Sequence, residues 1–200
     1  MTNTKDLLYY IPAGQYGKEG VLALLEQHPE IKFVSLVGID LAGNDTDEKI
    51  PMAAFFDDYE AFFEGRAVQT DGSSVVLTNI ATLNNARVDM WGDPSVNWFV
   101  DYNYENIDEA TGLPTGTLRI PAFLMHNYRY VDSRSILKNS CDYVRAELLS
   151  LIKEHGLPGM PHVKADDVVD IIFTSATELE FWVKTPPRTV TKKELSVSQK

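Results

Sequence analysis

Between Arg66 and Met125 the chain passes through four strand candidates, "RAVQT", "ARVDM", "VNWFVDYN" and "TLRIPAFLM". The last two are rich in β-branched and aromatic residues, and turn-forming segments such as "ENIDEATGLPTG" separate strand candidates. A parallel α/β sheet needs a crossover helix between successive strands, so this block argues against an alternating βαβ chain. The order read from the sequence is helix, hairpin, helix, strands, helix, strands. Helices segregated among mostly antiparallel strands predict an α+β fold.

The helices are read from their periodicity. "KEGVLALLEQH" (18–28) places Val21, Leu22, Leu24, Leu25 and His28 near one side, and Pro29 ends it. "IKFVSLVGIDLAGND" predicts a strand with a turn at Ala42–Asp45, followed by a short return strand around Lys49–Met52. In "MAAFFDDYEAFFEG" the residues Phe55, Tyr59, Phe62 and Phe63 form an aromatic face for core packing, with Gly65 suited to the C′ position. "DSRSILKNSCDYVRAELLSLIKEHG" is the strongest helix pattern. Ser133 is its expected N-cap, Ile136, Leu137, Cys141, Val144, Leu148, Leu151 and Ile152 form its apolar side, and Gly156 and Pro158 end it. "DDVVDIIFTSATELEFWV" reads as two strand-like runs. Residues 1–17 have no clear periodicity.

Composition narrows the function classes. The chain has 200 residues, 44% hydrophobic and 24% charged, a balance that supports a sizeable core. A net charge of −11 disfavours phosphate backbones, and no basic stripe is present, so no nucleic-acid partner is expected. No apolar run approaches the roughly 20 residues of a bilayer span, and the N-terminus lacks a secretory pattern, so no membrane partner is expected. Cys141 is the single cysteine, which rules out an internal disulfide and fits a cytoplasmic location. It is expected as a small core residue. His28, His126, His155 and His162 are too widely spaced for a zinc site. Neither phosphate-cradling glycine motif occurs. Trp91, Trp98 and Trp182 are read as packing residues.

Two stretches carry possible chemistry. In "TSATELEFWVK" a strand would put Glu178 and Glu180 on one face, about 7 Å apart. Either that face is wet, or a cation lies beside it. Hard cations such as Mg²⁺ take oxygen ligands, often only one or two protein carboxylates. In "QTDGSSV", Asp71-Gly72-Ser73-Ser74 is a turn signal in which Asp71 bonds its own backbone and Gly72 permits positive φ. The alternative is a loop holding Asp71 out for a cationic ligand or proton transfer.

In order and spacing, "TDGSS", then "DSRSIL", then "ELEF" resembles the N-terminal part of the glutamine synthetase family over roughly residues 31–184. Ser133 stands where the family's helix start has proline, leaving Asp132, Arg134 and Ser135 as the match. The resemblance implies a β-grasp-like N-terminal domain followed by the incomplete start of an antiparallel α/β catalytic barrel. The expected division is a leader and helix (1–30), a β-grasp-like domain (31–128) and the truncated start of the catalytic domain (129–200). It further implies that Glu178 and Glu180 are divalent-metal ligands (Mg²⁺ or Mn²⁺), and that Asp71 binds ammonium and takes its proton with Ser74 as its neighbour. The implied reaction makes glutamine from glutamate, ammonia and ATP through a γ-glutamyl phosphate. The Asp71 loop would enter the active site of an adjacent subunit in a ring homo-oligomer. "TPPRTVTKKELSVSQK" reads as a segment whose packing partners lie further along, so the chain is expected to be an inactive fragment. Two alternatives stand: a ligase of the same family acting on amines or polyamines, and a non-catalytic β-grasp interaction module.

Overall fold

The computed structural model describes residues 7–77, 82–84, 86–178 and 180–182. Among these residues the architecture is α+β, helices set against a mainly antiparallel sheet of eight strands. The strands are β1 (Tyr10–Ile11), β2 (Ile31–Ile39), β3 (Asp45–Pro51), β4 (Val68–Asp71), β5 (Arg87–Gly92), β6 (Trp98–Ile107), β7 (Pro114–His126) and β8 (Arg129–Tyr130). The helices are α1 (Lys18–Glu26), α2 (Met52–Asp57) and α3 (Ser133–His155).

Strand β7, 13 residues long, organises the sheet. Its first half lies between β6 and β2, and its second half pairs with β5 and β8. The order β1-β6-β7-β2-β3 therefore continues through β7 into a second ladder, β7-β5-β4. Pairing is antiparallel except between β2 and β7, where Leu36 is in register with Ile120. One parallel pair in an otherwise antiparallel sheet agrees with the mostly antiparallel arrangement expected. The chain between β2 and β7 includes α2 and four strands, ample length for a crossover.

Period-two alternation selects the core. Leu118, Ile120, Ala122 and Leu124 of β7 are all fully buried, as are Val34 and Leu36 of β2 and Val88 and Met90 of β5. Val21 and Leu25 of α1, Met52 and Phe55 of α2, and Phe62 cover this surface. Phe55 sits 5.0 Å from Phe62 and 5.1 Å from Tyr59, and Phe63 stacks on Trp98 at 5.3 Å. The predicted aromatic face is thus core, although α2 ends at Asp57 and a 3-10 turn at Glu60–Phe62 carries the rest. Gly65 follows at φ +68°, and a Cβ there would overlap the Trp91 indole.

Three expectations are corrected. The N-cap of α3 is Asp132, not Ser133: the Asp132 carboxylate accepts from the Ser135 amide at 2.8 Å. The apolar side of α3 is not covered by the described residues, with Leu137 66% and Leu151 49% exposed, and Cys141 only half-buried. Finally, beyond a 3-10 turn at Ala165–Asp167, the described residues of "DDVVDIIFTSATELEFWV" form no strand, and Val169, Ile172 and Trp182 are exposed. Trp182 is therefore not a packing residue within these contacts. Strands need partners for their backbone groups, and none lies alongside this segment among the described residues. Leu179 and residues 183–200, including the polar segment read above, lie outside the described residues.

Candidate functional site: an exposed aspartate beside a cleft

Asp71 ends β4 and caps a 3-10 turn, Gly72–Ser74. Its carboxylate accepts from the Ser73 amide at 2.8 Å, and the Ser73 amide and hydroxyl hold it below the ordinary carboxylate range. Asp71 and Ser74 are exposed, while Gly72 between them is buried. Gly72 does not adopt the positive φ that the turn signal suggests. The constraint on it is space: its amide bonds the Ala86 carbonyl at 2.6 Å, and a Cβ would strike the Leu83 carbonyl.

The loop is held from the other side by Asp40, which the sequence reading passed over. Asp40 is fully buried, and accepts from the amides of Ala42 and Asn44 (both 2.9 Å), the Asn44 side chain (3.0 Å) and the Val76 amide (3.0 Å). Burial alone would raise its pKa, but these donors outweigh burial and hold it below the ordinary value. The Leu41 amide returns a bond to the Val76 carbonyl at 3.1 Å. The residues after Ser74 are therefore latched to the β2–β3 hairpin.

Across the ladder Asp71 is in register with Arg87. Directly opposed residues share a face, and so do Asp89 and Trp91 further along β5. Arg87 does not neutralise Asp71; its guanidinium bonds Asp89 at 2.8 Å. Beyond Arg87 lies a cleft of about 280 Å³ lined by Arg87, Asp89, Trp91, Met125, His126 and the β7–β8 turn. That turn, Asn127–Tyr128, has φ of 48° and 61°, the signature of a tight primed hairpin, and leaves Tyr128 92% exposed. His126 Nδ1 donates to the Arg87 carbonyl at 3.0 Å, so Nε2 is free to accept from the Asn127 amide at 2.9 Å. Alternation along β5 could have placed Arg87, Asp89 and Trp91 together, but nothing local announces their meeting with His126.

The matched residues at the start of α3 form a second polar cluster. Asp132, fully buried, accepts from Ser135 Oγ at 2.9 Å and from the Leu124 amide at 3.2 Å, joining α3 to β7. Arg134 donates to Asp93 at 2.6 Å and lies over the Phe123 ring at 4.9 Å. Asp93 also accepts from the Ser95 amide and hydroxyl; although burial pushes it up, these donors and Arg134 hold it below the usual range. These contacts are architectural.

Glu178 and Glu180 are exposed and belong to no strand, so no pleat places them on a common face. Among the described residues no group of three His, Cys, Asp or Glu side chains could hold a metal ion. The described donor set does not form a divalent-metal site, and no contact joins these glutamates to Asp71.

Among the described residues the site is thus an exposed carboxylate, held by its own turn at the end of the edge strand β4, with a cleft beyond its cross-strand neighbour Arg87. No protein-family model matches the sequence, and no curated protein matches it. Among solved structures the chain is similar to a Plasmodium falciparum glutamine synthetase, at 15% identity and a TM-score of 0.45, over 68% of this chain and 24% of that one. It is also similar to GmaS in complex with ADP, at 15% identity and a TM-score of 0.33, over 55% of this chain and 21% of that one. The chain therefore spans about a quarter or less of the proteins it matches. The first carries the name of the family that the motifs resemble. No described helix is long and apolar enough to cross a membrane.

Proposed function

We propose that the chain is the N-terminal part of a glutamine synthetase-like ligase, acting in the cytoplasm on glutamate, ammonium and ATP. Residues 31–128 would form its β-grasp-like domain and 129–200 the start of its catalytic domain. The observation that carries the reading is Asp71 itself. It is ionised, exposed, unpaired with Arg87, and fixed by the Ser73 amide and the Asp40 latch at the point where the motif order requires it. In this reading the acid serves the active site of an adjacent subunit in a ring.

The chemistry follows from the charge. An ionised carboxylate attracts ammonium, and Ser74 can accept one of its hydrogens. The depressed pKa makes Asp71 a better cation anchor than proton acceptor, because a weaker base draws the proton less strongly. Glu178 and Glu180 are proposed as two ligands of a metal site that requires further donors; no step is assigned to that site.

The test is glutamine formation from glutamate, ammonium and ATP by the protein encoded by the complete reading frame, with and without Asp71→Asn. Turnover that falls roughly 10²-fold or more in the variant supports the reading. Absence of any ATP- and glutamate-dependent product, with ammonium or with amines, would leave the interaction-module alternative in its place.

A further inference from the structure

We propose that Asp71–Gly72 is a site of spontaneous covalent modification, converting to isoaspartate through a cyclic imide, and that the fold keeps it dormant until the Asp40 latch opens. The inference needs only the loop, so it stands apart from the ligase reading.

Asp71 is the one Asp or Asn in the sequence that is followed by glycine. In this reaction the next residue's amide nitrogen attacks the side-chain carboxyl carbon, and a Cβ on that residue obstructs the approach. Glycine has none. The Gly72 nitrogen bonds to Asp71 Cγ and gives up its proton, and the protonated carboxyl loses its hydroxyl, so one water departs. Water then opens the five-membered imide. When the bond between nitrogen and the original main-chain carbonyl carbon breaks, the backbone runs on through Cβ and the new carboxylate sits on Cα. Only water is lost and regained, so no oxidant or co-reactant is needed. The product has one more backbone carbon, which breaks the register with Arg87 and the bond to Ser73.

Each requirement of the reaction is withheld by the fold. Ring closure needs the Gly72 nitrogen eclipsed with Cβ about the Cα–C bond, and Asp71 at φ −75° and ψ 133° holds it far from that alignment. Rotation into place is resisted twice: the Gly72 amide donates to the Ala86 carbonyl at 2.6 Å, and Gly72 packs so closely on the Leu83 carbonyl that a Cβ would strike it. The leaving group is withheld as well. The Ser73 amide and hydroxyl keep the Asp71 carboxyl ionised, and an ionised carboxylate has no hydroxyl to lose as water. Downstream, the Val75 amide donates to the Gly72 carbonyl at 3.1 Å, and the next residue, Val76, is the one Asp40 holds. Releasing Val76 therefore frees the turn from that side. Asp71 itself is exposed, so water for the second step is always at hand.

The test is prolonged incubation of the protein from the complete reading frame in mildly acidic buffer, folded and in unfolding urea, with tryptic mapping of the peptide between Arg66 and Arg87. Electron-transfer fragmentation distinguishes isoaspartate from aspartate at position 71. The expected result is steady conversion in urea and conversion at least about tenfold slower in the folded protein, because only the opened form reacts. Asp40→Asn should raise the folded rate severalfold. Asp71→Asn isolates the backbone contribution, since its amide leaves as ammonia without needing an ionised carboxylate to be protonated; its conversion to the acid, read by mass, should also be slower folded than in urea. Four results overturn the proposal: no isoaspartate at position 71 in urea, equal rates folded and unfolded, a folded Asp40→Asn rate equal to that of the native protein, or no protection in Asp71→Asn. None of them touches the ligase reading, which stands or falls on glutamine formation.

Discussion

The Asp40 carboxylate accepts the Val76 amide at 3.0 Å across 36 positions of sequence. The bond ties the segment that follows Ser74 to the β2–β3 turn, so the exposed acid at Asp71 is positioned by a buried one. Asp40→Ala strands three backbone donors, the amides of Ala42, Asn44 and Val76. We expect a loss of about 3 kcal/mol in urea unfolding, since each buried unsatisfied donor costs about 1–3 kcal/mol and the three relax together. A loss below about 1 kcal/mol would show that water replaces the latch.

Acid should act on the same bonds. Asp40 and Asp93 both titrate below the ordinary aspartate value in the folded chain. Their stabilisation is therefore complete above the unfolded-state pKa, about 3.9, and is lost as pH falls through the lower folded-state values. The urea midpoint should be level in this respect from pH 7 to about pH 5 and drop below about pH 4. Asp40→Asn should make that acid limb shallower; an unchanged limb would remove Asp40 from the account.

Helix α3 supplies a comparison between neighbours. Asp132→Ala removes the cap and the bond to Leu124, and should cost about 2 kcal/mol. Ser133→Ala, one residue into the helix, should change stability by less than about 0.5 kcal/mol. The reverse ranking would restore Ser133 as the cap.

Gly72→Ala places a methyl against the Leu83 carbonyl and should cost about 1–3 kcal/mol through forced movement of that backbone. Because Gly72 lies between Asp71 and Ser74, the same change should reduce glutamine formation by more than it reduces the folded fraction. Equal losses would mean the loop has no role beyond stability.

How far the sequence could be read follows from the range of the interactions. Alternation along β2, β5 and β7 selects their buried faces, and the Phe55–Phe63 stripe is core as its spacing suggests. Asp40 was legible in part: an aspartate followed by "LAGN" can accept from amides two and four residues ahead. Its bond to Val76 is long-range and has no local signal. Ser133 is a residue type suited to an N-cap, yet Asp132 one residue earlier has its carboxylate bonded to the amides of Ser135 and Leu124. The apolar pattern of α3 and the strand-like residues around Phe173 and Phe181 record faces that want partners, and periodicity cannot say which chain provides them. For the same reason the predicted common face of Glu178 and Glu180 depended on a strand that the described contacts do not form.

The central claim is that Asp71 of one subunit and the Glu178–Glu180 pair of another serve a single site. It is tested most directly by mixing two inactive forms of the protein from the complete reading frame, Asp71→Asn and Glu180→Gln, under conditions that allow subunit exchange. In the proposed ring, mixed assemblies would contain some interfaces with both native contributions, so glutamine formation should reappear at a fraction of the native rate. If exchange is demonstrated by mass and no activity returns, Asp71 and Glu180 do not meet across subunits, and the account is contradicted.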